Sequence, residues 1–88
     1  MALRYEYPGG VAPGDIPLLE KFEVEILPYT MKHGSRIGAA AMDGNPVAEE
    51  VIRRQRLLVE GLPEMRATNF KMLVSALKAW EAAVPGSH

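Results

Sequence analysis

The run NPVAEEVIRRQRLLVEGL, residues 45–62, writes both ends of one helix into its own letters. Asn45 can cap through its side-chain oxygen, and Pro46 suits the first helical position because the N–H it lacks would have no partner there. Glu49 and Glu50 fall near the positive end of the helix dipole. Gly61 can take the left-handed conformation just past the end, Leu62 can then touch Leu57, and Pro63 forbids continuation. Val47, Val51, Leu58 and Leu62 share one line of this helix, with Ala48, Ile52 and Val59 beside it; only Gln55 interrupts the apolar stripe. On the far side Glu49 precedes Arg53 and Glu50 precedes Arg54 by four residues, with Arg56 before Glu60 in the weaker order. Such pairs contribute about 0.2–0.5 kcal/mol each and mark a solvated face.

A second helix follows. Phe70, Leu73, Leu77, Trp80 and Val84 are spaced three, four, three and four residues apart, which is the seam of a helix ending before Pro85 and Gly86. It starts at Pro63, or later with Thr68 or Asn69 as the cap. The short Gly-Leu-Pro connection makes the two helices antiparallel neighbours, with Val51, Ile52 and Leu58 facing Phe70, Leu73 and Leu77. A two-helix hairpin leaves part of each stripe uncovered, so another element or another subunit must complete the core. Gly86, Ser87 and His88 form a frayed end.

The N-terminal half reads as extended. Leu3, Tyr5 and Tyr7 alternate with Arg4 and Glu6 as in a short strand ended by Pro8. PGGVAPGDIP, residues 8–17, has three prolines and three glycines and is expected to be a loop or an extended arm. In residues 21–26, Lys21, Glu23 and Glu25 alternate with Phe22, Val24 and Ile26, which predicts a strand closed by Leu27 and Pro28. Tyr29 to Asp43 either continues the alternation through Met31 and His33 or forms a short helical turn capped by Ser35. The helical turn is favoured, although Gly38 weakens it by roughly 1 kcal/mol relative to alanine. The expected fold is α+β in a single small domain: an arm over 1–17, a strand and connecting segment over 18–44, an antiparallel helical hairpin over 45–84, and a tail over 85–88.

Composition narrows the function. The chain has 88 residues, no cysteine and two histidines, His33 and His88, so neither a disulfide framework nor a zinc or iron centre is expected, and no cofactor. Residues 1–44 carry four basic and six acidic groups and residues 45–88 six and five, so neither half is a nucleic-acid footprint. No phosphate-binding glycine loop or nucleophile elbow is present, and Asp43, Gly44 and Asn45 supply a turn rather than a calcium loop. His33 beside Gly34 and Ser35 is a fragment of a catalytic pattern without an oxyanion donor, better read as a loop histidine. Glu20, Glu23 and Glu25 read as a solvated acidic surface. Residues 1–7 lack the apolar core of a secretory signal, and no apolar run approaches the ~20 residues of a membrane helix. The expected location is intracellular and soluble, or a virus particle assembled inside a cell.

At this length only about 60% of the unfolded surface can be buried, so a monomer is marginal and packing against another chain would complete it. Phe70 and Trp80 belong to the helical seam, whereas Tyr5 and Tyr7, on the arm, either fold back or dock on another subunit. The expected function is therefore a non-catalytic assembly or adaptor subunit. It would engage neighbouring protein subunits, in a homo-oligomer or larger assembly, through its arm or a strand edge, with Tyr5, Tyr7, Phe22, Val24 and Ile26 as contacts. A capsid-decorating or connector component of a phage-like particle fits this organisation. The alternative is a small nucleic-acid-associated regulator using Arg53, Arg54, Arg56 and Arg66, the first two offset by glutamates one turn earlier. The third is a small enzyme or enzyme subunit built on His33.

Overall fold

A single turn of 3-10 helix, Pro13–Asp15, starts an almost unbroken succession of helices in the computed structural model, which describes residues 3–83. Helix α1 is Ile16–Lys21, followed without a break by a π-helical turn, Phe22–Ile26, and by α2, Leu27–Lys32. Helix α3 is Gly34–Met42, α4 is Pro46–Glu60, and α5 is Arg66–Ala83, entered through a 3-10 turn at Pro63–Met65. About 80% of the described residues are helical and none lies in a strand, so the fold is all-helical and the α+β expectation is overturned.

The correction centres on residues 19–30. KFEVEI alternates, but Leu19, Phe22, Glu23 and Ile26 also recur at i, i+3, i+4 and i+7, and these four, with Thr30 one turn further on, are the buried side chains of the segment. Both periods are written there. A lone strand is unstable in water, whereas a helix packs one whole side of this segment onto the α4–α5 pair. Pro17 stands in the first turn of α1, where its missing N–H costs nothing. Pro28 does not stop the helix. It cannot donate to the Val24 carbonyl and its ring would collide with that group; the wider turn just before it, with Leu27 N–H bonded back to the Phe22 carbonyl, changes the register and lets the chain continue. Residues 3–7 form no strand either; they run irregularly over the helices.

The helical half follows the capping rules, with two differences. Asn45 Oδ1 accepts from Val47 N at 2.9 Å and Ala48 N at 3.2 Å, as a capping asparagine should. Gly61, however, is extended, with φ −82°, and its N–H returns to the Leu57 carbonyl at 2.9 Å. A Cβ there would meet that carbonyl oxygen at 2.5 Å, so close approach and not a left-handed turn calls for glycine. Leu62 is 62% exposed and lies outside the core. Thr68 and Asn69 lie inside α5, which begins earlier than either would place it. Ser35 lies within α3, which starts one residue before it, with His33 at the cap position and no side-chain cap bond. Val84 and the tail from Pro85 lie outside the described residues.

The core joins Leu19, Phe22 and Ile26, Ile37 from α3, Val51 and Leu58 from α4, and Leu73, Leu77 and Trp80 from α5, with Tyr7 entering from the N-terminal segment.

Candidate functional site

The N-terminal segment lies as a strap across the helices, held by two buried charged side chains from opposite halves of the chain. Glu23 sits in the π-helical turn at 5% exposure, which points its carboxylate inward at the strap. It accepts from Arg4 N at 2.7 Å, Tyr5 N at 3.3 Å and Tyr7 Oη at 2.7 Å. Arg66, in the first turn of α5, is fully buried. Its Nε donates to the Leu58 carbonyl at 3.3 Å, Nη1 to the Gly10 carbonyl at 2.5 Å and Nη2 to the Pro8 carbonyl at 2.9 Å. The guanidinium also lies over the Tyr7 ring, 5.3 Å from its centroid. Tyr7 thus joins the two ions: its face meets the cation and its hydroxyl donates to the anion. Burial, and then the hydrogen bond to Glu23, push the Tyr7 phenol far above its ordinary value.

Two grooves flank α4. One of about 560 Å³ runs between α4 and α5, lined by Val47, Met72, Ala76 and Ala79 and by Arg53 and Lys71. The other, about 410 Å³, is lined by Ile37, Val51, Ile52 and Val59 with Gln55, Arg56 and Glu60. Gln55, the residue that interrupts the apolar stripe, has its Oε1 buried without a partner. A smaller groove of about 220 Å³ brings Lys21, Glu25, Tyr29, Lys78 and Glu81 together. There the Tyr29 phenol is raised, by burial first and by Glu81 next, while Arg36 and the nearby Trp80 indole N–H pull it down; neither Tyr29 Oη nor Trp80 Nε1 completes a hydrogen bond.

Of the expected contact residues, Tyr7, Phe22 and Ile26 are buried against this chain's own core, while Tyr5 and Val24 are each 52% exposed. The four arginines do not form one patch. Arg66 is inside, Arg53 and Arg54 share Glu50, Arg54 also donates to Asn69 Oδ1 at 2.9 Å, and Arg56 opens onto the other groove. Glu50 is accordingly held below the usual carboxylate range, first by Arg53. Arg53 chooses Glu50 over the expected Glu49. His33 is half-buried, its ring 4.4 Å from that of Tyr29 in a tilted stack. No group of three or more possible metal ligands gathers among the described residues. No described helix is long and apolar enough to cross a membrane.

Sequence reasoning missed the roles of Glu23 and Arg66. For Glu23 the signal was present, since the 19, 22, 23, 26 spacing puts it on the inner face of a helix. For Arg66 there was none, because its acceptors are main-chain carbonyls supplied by distant segments. Comparison of the chain with protein-family models, curated proteins and solved structures finds no match in any of the three.

Proposed function

We propose that the protein is a non-catalytic assembly subunit that binds neighbouring protein subunits, a second copy of itself among them. The observation carrying this reading is the composition of α5. Its inner side buries Leu73, Leu77 and Trp80, yet Met72, Ala79, Ala82 and Ala83 on other sides are also apolar and exposed. Lys71, Ser75 and Lys78 give the helix a polar outer face, but Met72, Ala76, Ala79 and Ala83 fall on one line between that face and the core, and an apolar line left open on a helix normally meets a partner. Beside it the α4–α5 groove adds Val47 and the edge of Ala76 to the same open surface. A strand edge plays no part, because the chain has no strand among its described residues.

Light scattering and sedimentation over a range of concentrations test the reading. The expected result is a mass that rises above the 9.7 kDa of one chain and returns to it when Met72→Lys and Ala79→Glu are combined, with thermal stability retained because both sites are exposed. A chain that stays at one-chain mass at every concentration, or association untouched by the paired change, refutes it.

A further inference from the structure

Glu23 and Arg66 together have the chemistry of a receptor for an extended peptide main chain. Five of their six hydrogen bonds go to the strap: the N–H groups of Arg4 and Tyr5, the Tyr7 hydroxyl, and the carbonyls of Pro8 and Gly10. One ion takes the donors and the other the acceptors. Burying a carboxylate and a guanidinium is an expensive way to hold a segment that apolar contacts could hold alone, and the best-attested use of such buried polar groups is to fix register or oligomer state.

We propose that the strap of a second copy of this chain occupies this receptor when subunits assemble, so that neighbouring copies exchange N-terminal segments. The inference rests on the assembly reading above and names its contact. Every hydrogen bond of the strap to Glu23 and Arg66 is retained on exchange, because the PGG turn closed by Gly10 N–H to the Tyr7 carbonyl at 3.0 Å travels with the strap. Of the apolar contacts, the packing of Val11 is the one given up. Only the connection over residues 11–13 must change. Its conformation already suits reaching outward: Ala12 is extended, with φ −69° and ψ 142°, and Pro13 disfavours any helical bend there. A tethered strap sees its own receptor at an effective concentration of ~mM, so the closed monomer prevails in dilute solution. Subunits held side by side through α5 see each other's straps at comparable concentration, and exchange then adds no strain to the helices.

The test mixes two full-length variants, each weakened in closing on itself. One keeps its strap and has an impaired receptor, Glu23→Gln, with Arg66→Lys as the replacement should the first not fold. The other keeps its receptor and has an impaired strap, Tyr7→Ala, with Tyr7→Leu as its replacement. Circular dichroism establishes that both are folded, and both keep the native α5 surface, which holds the subunits side by side. The expected result is a melting temperature in the mixture above that of either variant alone, because an intact strap then meets an intact receptor. A mixture whose melting is the sum of its two components overturns exchange. So does a rise of the same size when both partners carry the receptor change. In either case the assembly reading is judged separately, by the α5 surface variants made in the otherwise native chain.

Discussion

Replacing Arg66 by methionine isolates what the buried guanidinium does, since the stem is of similar length and only the charged fork is lost. The Leu58 carbonyl is among the last four of α4, which the helix cannot satisfy itself; Gly61 N–H takes the Leu57 carbonyl and Arg66 Nε takes that of Leu58. A buried acceptor left without a donor costs about 1–3 kcal/mol. Pro8 and Gly10 are exposed residues, so water replaces the guanidinium at their carbonyls and the loss there is about 0.5–1 kcal/mol each. Relief from burying a cation opposes this, but removing one partner of a buried polar network leaves the remaining groups uncompensated, and the net effect is destabilising. The expected loss is about 2–4 kcal/mol, or roughly 10–30 °C in melting temperature for a domain this small. Melting followed by far-ultraviolet circular dichroism, and by fluorescence of Trp80, measures it. Arg66→Lys keeps the charge but not the fork and falls between the two. A loss under about 0.5 kcal/mol, the range of ordinary surface changes, would mean that neither the strap nor the end of α4 depends on this residue, and the receptor argument would fall with it.

The same strap gives a pH dependence. The folded chain keeps the Tyr7 proton more tightly than the unfolded chain, so the stability this group contributes is intact below about pH 10 and is lost as pH rises beyond it. Tyr7→Phe should give a shallower alkaline decline in melting temperature, with Tyr29, also raised, supplying what is left; parallel declines would contradict this. Gly9→Ala should destabilise more than Gly10→Ala: both glycines have positive φ, 82° and 78°, but only at Gly9 would the added Cβ meet Pro63 Cγ, at 2.6 Å. Each left-handed alanine costs about 1–2 kcal/mol, and equal melting temperatures for the two variants would remove the Pro63 contact from the account. Asn45→Ala removes the α4 cap and should cost about 1 kcal/mol in denaturant unfolding, whereas an unchanged midpoint would show the cap to be dispensable.

What the amino-acid order determined by itself is the part governed by nearest neighbours along the chain. Asn45 and Pro46 start α4, Pro63 prevents its continuation, and the 70, 73, 77, 80 spacing sets the inner face of α5, because capping, proline geometry and helical periodicity act within a few residues. The π-helical turn and its flanking helices are a tertiary decision. Alternation in KFEVEI and the helical spacing of Leu19, Phe22, Glu23 and Ile26 coexist in the same letters, and the α4–α5 surface selects the second by burying Leu19, Phe22 and Ile26 on it. The receptor is a tertiary product as well. A carboxylate on Glu23 and a guanidinium on Arg66 look like two solvated charges in the chain, and only packing that shields both from water and brings one strap between them turns main-chain N–H and C=O groups into their partners.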